Sequence, residues 1–87
     1  MGYRMKFHIS DGRSVDTAKE LRPDERHILQ KLFAWADMVE SVDRFRELRK
    51  KALAEGWNNS GPVQESRALS LVANELEARI RRRLNAV

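Results

Sequence analysis

Arginine and lysine side chains form two dense groups in this 87-residue sequence. The C-terminal arginine group consists of Arg79, Arg81, Arg82 and Arg83. The central basic group consists of Arg44, Arg46, Arg49, Lys50 and Lys51. A guanidinium fork donates two parallel hydrogen bonds to a phosphate or carboxylate group. Both groups are therefore candidate sites for nucleic acid or another polyanion, whose binding would weaken steeply with salt.

Both groups also have an ordinary explanation, which we favour, because cations near a helix C-terminus stabilise the helix dipole. If the chain folds back at residues 58–59, Asp37 and Glu40 lie beside the C-terminal arginine group and neutralise much of its charge. The central basic group then lies beside residues 66–73, which carry only Arg67 as a charged residue. We therefore expect the central group to be the less neutralised of the two.

The segment Trp57-Asn58-Asn59 is the candidate site for a protein partner. An apolar residue that follows a glycine helix stop commonly packs back on the last helical turn, and we favour this role for Trp57. The alternative is an exposed aromatic anchor of the kind that dominates binding interfaces. In that case Asn58 and Asn59 would supply adaptable hydrogen bonds around it.

Catalytic chemistry finds little support in the sequence. His8 and His27 have no Cys, Ser or carboxylate arranged with them as an activated pair, and the chain has no cysteine. We expect no enzyme, no metal and no cofactor. The formal net charge of +4 is only a mild excess. Because no signal peptide or membrane-spanning run is evident, we expect a cytoplasmic protein.

The first seventeen residues predict a β-hairpin. Apolar and polar residues alternate strictly over residues 3–9, which indicates a strand with one buried face. Ser10-Asp11-Gly12 is a turn signal, and a three-residue loop places Phe7 opposite Val15, apolar against apolar. We expect strands at about 3–9 and 13–17. The spacing of Thr17 and Glu20 then suits a single capped helical turn.

Two long helices should follow, joined by a loop at residues 56–61. Pro23 suits a first helical position, and no Pro or Gly interrupts the chain from there to Glu55. A broad apolar stripe runs through Ile28, Leu32, Trp35, Val39 and Val42. Beyond it, a rotated face comprises Phe45, Leu48 and Ala52. We favour one continuous helix over 23–55, with a break near residues 41–43 as the alternative. Gly56 ends this helix, Gly61-Pro62 opens the second, and a clean stripe indicates that the second runs over 62–85.

The sequence therefore predicts a single predominantly helical α+β domain, in which an N-terminal hairpin precedes a long antiparallel helical hairpin. The rotated face and the apolar hairpin face both need cover. A homodimer that completes a four-helix bundle would supply it. We expect a non-enzymatic protein-interaction or assembly module, with polyanion binding through the two basic groups as the alternative.

Overall fold

The computed structural model describes residues 6–56 and 61–86. These residues form the strands β1 (Lys6–His8) and β2 (Ser14–Asp16) and the helices α1 (Thr17–Glu20), α2 (Pro23–Met38), α3 (Val42–Glu55) and α4 (Arg67–Asn85). The predicted class, mostly helical with an N-terminal two-stranded sheet, is confirmed. No helix in the described ranges combines the length and the apolar composition needed to cross a bilayer.

The N-terminal hairpin has the predicted register. Phe7 lies opposite Val15 in the antiparallel pair. Gly12 closes the turn with a φ of 96°, a conformation that a residue with a Cβ atom rarely adopts. Its N–H donates to the carbonyl of Ile9 at 3.0 Å, so the three-residue loop is also confirmed. The predicted strand residues before Lys6 lie outside the described residues.

The predicted turn after the hairpin forms as α1, but its N-cap is Asp16 rather than Thr17. Asp16 Oδ1 accepts hydrogen bonds from the N–H groups of Ala18 and Lys19 at 3.0 and 3.2 Å. Glu20 Oε2 reaches back to the N–H of Asp16 at 2.6 Å. Each carboxylate thus satisfies a backbone donor that the short helix leaves unpaired.

The helix α2 begins at Pro23, as predicted, and Glu25 joins its start to the start of α4. Glu25 Oε1 accepts the N–H of Arg22 at 3.1 Å, and Oε2 accepts the N–H of Ser66 at 2.9 Å. The side chain is fully buried. One carboxylate therefore serves the N-terminal ends of two helices at once.

The preferred continuous helix over 23–55 is wrong, because the chain leaves the helical conformation between Met38 and Val42. Val39 and Ser41 are extended, and Ser41 Oγ accepts the N–H of Arg44 at 3.1 Å as the N-cap of α3. The change of direction turns Phe45 into the core, where it has no exposed surface. The rotated apolar face belongs to a separate helix. We call residues 39–41 the elbow.

The loop between α3 and α4 is longer than predicted. Gly56 ends α3 with a φ of 73°, and its N–H donates to the carbonyl of Ala52 at 2.8 Å. Residues 61–66 are not helical, and Val63 donates its N–H to the carbonyl of Leu53 at 2.7 Å. The predicted start of the second helix at 62 is therefore wrong. Its N-cap is Ser66, whose Oγ accepts the N–H of Leu69.

The helices alternate in direction around one core. Glu25 and Ser66 meet at one end of the molecule, whereas Arg83 bonds the carbonyl of Val39 at the other. The helices α2 and α4 therefore run parallel. The helix α3 runs antiparallel to both, so the described helices form a three-helix bundle with the hairpin docked against α4.

The core draws on every long element. Its buried apolar residues are Phe7, Val15, Leu21, Ile28, Leu29, Leu32, Val39, Phe45, Ala52, Val63, Leu69, Val72, Ala73, Leu76 and Ile80. Phe7 and Val15 come from the hairpin, and Phe45 and Ala52 come from the rotated face. Most described residues of both faces are thus covered within one chain, whereas Leu48 of the rotated face is only half-buried. The four-helix dimer stays a prediction, and the burial of Phe7, Val15, Phe45 and Ala52 within one chain removes part of the reason first given for it.

Candidate functional site

The C-terminal arginine group is largely engaged within the molecule, through Glu75. This nearly buried carboxylate accepts the N–H and the hydroxyl of Ser10 at 3.1 and 2.7 Å, which fastens the hairpin loop to α4. Arg79 and Arg82 lie 3.5 and 3.1 Å from Glu75 Oε2. Arg79 also lies 4.5 Å from the ring centroid of Phe7, so it covers the hairpin core by a cation–π contact.

The remaining two arginines of this group differ in exposure and in partners. Arg83 donates to the carbonyl of Val39 and so satisfies the end of α2. Arg81 is exposed and forms no ion pair with any described residue. Asp37 and Glu40, predicted to neutralise this group, form no ion pair within the described ranges. Asp37 does lie beside the group, since it lines a groove with Arg79 and Arg83, but the ion pairs of the group are made by Glu75 of the same helix.

The expectation that the central basic group is the less neutralised of the two is also wrong. Arg49 is only 14% exposed and binds Glu65 with two hydrogen bonds of 2.9 and 2.8 Å. It also donates to Glu77 at 2.8 Å, and Arg46 reaches the same carboxylate at 2.9 Å. Burial alone would lower the pKa of Arg49, but the bonds to Glu65 and Glu77 outweigh it and raise that pKa.

These contacts show why a fold-back at residues 58–59 predicted the wrong neighbours for the central basic group. The longer loop brings Glu65 to Arg49, and the helix register brings Glu77 to both Arg46 and Arg49. Three other members of the group remain exposed, namely Arg44, Lys50 and Lys51. Arg44 has a 3.4 Å contact with Glu47, and Lys51 lies 4.0 Å from Glu55. Such exposed pairs contribute little to stability.

The other sequence candidates add no chemistry to the described site. Trp57, Asn58 and Asn59 lie outside the described residues, so their predicted roles stay predictions. His8 is exposed on β1, and His27 is half-buried in α2. No group of three or more His, Cys, Asp or Glu side chains able to hold a metal ion is present in the described ranges.

The structure reveals a surface that the sequence interpretation missed, at the outside of the elbow. Met38 is 72% exposed, the highest value among the large apolar side chains that the structure describes as exposed. It lines an open groove of about 540 Å³ with Trp35, Val39, Glu40, Ser41, Arg44 and Leu48. We call these seven residues the elbow groove. Trp35, Met38, Val39 and Leu48 form its apolar part, and Glu40, Ser41 and Arg44 contribute a polar part of about equal extent.

The signal for this groove was present in the sequence. Met38 lies off the stripe that carries Leu32, Trp35 and Val39, so helical spacing alone places a large apolar residue facing away from the core. Trp35 and Leu48 are both half-buried; Trp35 was assigned to the broad apolar stripe, and Leu48 to the rotated face that needed cover. Because the break at the elbow ends α2 beside the start of α3, these side chains come together on the outside.

Comparisons with protein-family models, with curated proteins and with solved structures find no match to this chain. The elbow groove is therefore judged on its chemistry alone.

Proposed function

We propose that this chain is a small non-enzymatic protein-interaction module and that the elbow groove is its contact surface. The observation that carries the proposal is the exposure of Met38 in a groove where apolar side chains lie beside Glu40, Ser41 and Arg44. Large apolar side chains exposed together, rimmed by polar groups, are typical of surfaces that bind protein. Such a surface costs solubility unless a partner covers it.

The groove residues suit this role individually. Trp35 offers a broad, rigid contact area, the property that places Trp among the residues dominating binding energy. Met38 has an unbranched, polarizable side chain that adapts to different partner shapes. Ser41, Glu40 and Arg44 supply hydrogen bonds and charges at the edge. The combination favours a helical or extended protein segment over a small polar ligand.

Polyanion binding is the alternative, and it would rest on exposed cations. Arg44, Lys50 and Lys51 are exposed on α3, and Arg81 is exposed on α4. The internal pairing of Arg46, Arg49, Arg79 and Arg82 argues against it, because those guanidinium groups would have to leave carboxylates. Titration with mixed DNA and RNA at low and physiological salt tests it. Binding with a steep salt slope would support the alternative.

The proposal is tested by selecting a random-peptide library on wild-type chain tethered at low density, so that neighbouring copies do not meet. Met38→Glu places a charge in the groove, and Gln30→Glu adds the same charge to an exposed position of α2 outside it. We expect selected peptides to bind wild type and Gln30→Glu alike and to lose at least about tenfold in affinity for Met38→Glu, since one buried anchor is worth 1.4 kcal/mol or more.

Both variants must first give the wild-type circular dichroism spectrum and thermal midpoint. Peptides whose binding is indifferent to Met38→Glu, or a library from which nothing is selected, would contradict the proposal.

A further inference from the structure

The elbow groove presents a protruding side chain and a cavity on one surface. Met38 is the exposed apolar side chain, and the groove of about 540 Å³ lies directly around it. A twofold axis uses the same patch on both partners, so each copy offers its protrusion to the cavity of the other. A partner of different sequence would need its own cavity for Met38 and its own apolar side chain to fill the groove.

The charges at the edge of the groove show the same self-complementarity. Glu40 and Arg44 carry opposite charges on either side of Ser41. Glu40 forms no ion pair with a described residue. The side chain of Arg44 is 60% exposed, and its contact with Glu47 is itself exposed. A twofold axis that passes between Glu40 and Arg44 would set Glu40 of each copy against Arg44 of the other, which would give two ion pairs from one patch.

The two strand edges of the hairpin are poorly suited to self-association. Arg79 donates to the carbonyl of His8 at 3.2 Å, which occupies part of the outer edge of β1. Glu20 accepts the N–H of Asp16, which occupies part of the outer edge of β2. Backbone groups engaged in this way are unavailable for pairing with a further strand. Phe45 and Ala52 of the rotated face of α3 already lie in the core.

We infer that the occupant of the elbow groove is a second copy of this chain, related by a twofold axis that places Met38 in the partner's groove and Glu40 against the partner's Arg44. The inference rests on the proposed function and names the partner of the same surface. The dimer expected from the sequence was a four-helix bundle that buries the whole rotated face of α3 and the apolar face of the hairpin, whereas the elbow groove contains only Leu48 of the rotated face.

The test is sedimentation velocity of the full chain from low to high micromolar concentration. We expect the wild-type mass to rise from 10.1 kDa toward twice that value. Met38→Glu should remain at the monomer mass, while the control Gln30→Glu should follow wild type. Glu40→Arg and Arg44→Glu should each be monomeric, because each places like charges opposite one another at two points of the interface.

An equimolar mixture of Glu40→Arg and Arg44→Glu gives the decisive result. Every Arg of one variant then faces a Glu of the other, so the dimer mass should return on mixing. Misfolding of either variant could not produce this recovery. Wild type that stays at 10.1 kDa throughout, or a mixture that stays monomeric while wild type dimerises, would overturn the inference.

The two proposals fail separately. If wild type is monomeric but the tethered chain still selects peptides that depend on Met38, the groove binds another protein and only the self-association is wrong. If wild type dimerises and Met38→Glu dimerises equally well, the dimer uses another surface and the inference is wrong.

Discussion

Glu25 shows how much of this fold depends on single carboxylates. It has no exposed surface, and its two oxygens accept the N–H groups of Arg22 and Ser66 at 3.1 and 2.9 Å. A glutamine at this position has only one acceptor oxygen. Its NH₂ group would face the N–H of either Arg22 or Ser66, which are both donors. The start of α2 or the start of α4 then loses its partner in a buried place.

We expect Glu25→Gln to lower the free energy of unfolding by about 1–3 kcal/mol, the cost of a buried donor left unsatisfied. Urea unfolding followed by circular dichroism measures it. The matched control is Glu47→Gln, an exposed helical glutamate, which should change the value by less than about 0.5 kcal/mol. Equal effects of the two substitutions would show that the carboxylate does not join the helix starts.

Glu75 gives the fold a dependence on pH. Burial would raise the pKa of Glu75, but the hydrogen bonds from Ser10 and the charge of Arg82 outweigh it and lower that pKa below its ordinary value. A carboxylate whose pKa is lower in the folded chain stabilises the fold above its unfolded-state pKa. This contribution is lost as the pH falls through the folded-state pKa.

We therefore expect wild type to exceed Glu75→Gln in free energy of unfolding at neutral pH and this difference to shrink between about pH 5 and about pH 2. Urea unfolding of both proteins across this range measures the difference. The pKa of Asp11 is also lowered, by its hydrogen bonds with Arg13, but Asp11 titrates in both proteins and its contribution cancels. A difference that stays constant with pH would contradict the role of Glu75.

At the scale of elements, the elbow decides the architecture, and its stability depends on a helix cap. Ser41 Oγ accepts the N–H of Arg44 at 3.1 Å, which satisfies one of the free donors at the start of α3. We expect Ser41→Ala to lower the free energy of unfolding by about 1 kcal/mol. Ser41→Asp should retain the wild-type free energy of unfolding, because Asp is an equally good N-cap. Thermal unfolding of the three proteins tests this, and equal midpoints for Ala and Asp would contradict it.

The sequence predicted correctly the elements that depend on neighbouring residues alone, namely the β-hairpin and the start of α2. The register of Phe7 with Val15 follows from alternation and turn length, and the start of α2 follows from Pro23. The elbow was not compelled in this way, since Ser41 is tolerated inside a helix and a cap is worth only about 1 kcal/mol. Burial of Phe45 decides between a continuous helix and a helix that breaks at the elbow. That burial exists only once the helices have packed.

The candidate site was less predictable for the same reason. Glu65 and Glu77 lie far along the chain from Arg49, and only the register of α3 against α4 brings them together. The two basic groups were visible in the sequence, but the acids that engage them were not. The elbow groove combines the end of α2 with the first turns of α3, so it follows from a break that the sequence left open.

At the scale of the whole molecule, the elbow converts a predicted pair of helices into a three-helix bundle and reverses the relation between its first and last helix. In a single helix over 23–55 folded back at the loop, residue 67 would lie beside residue 50. The start of that helix would then be about 40 Å away from residue 67. In the structure, α2 and α4 begin side by side, joined through Glu25 and Ser66.

A distance measurement between the two helix starts therefore tests the topology directly. The chain has no cysteine, so Asp24→Cys with Arg67→Cys provides two unique positions for nitroxide labels. These residues adjoin Glu25 and Ser66, and the Glu25 Oε2 atom lies 2.9 Å from the backbone nitrogen of Ser66. We therefore expect pulsed electron–electron double resonance to give an interspin distance far below the value for a continuous helix. Dilution with unlabelled chain removes any contribution from a dimer. Because a continuous helix would separate the labels by about 40 Å, a distance in that range would contradict the parallel arrangement of α2 and α4 and, with it, the elbow groove.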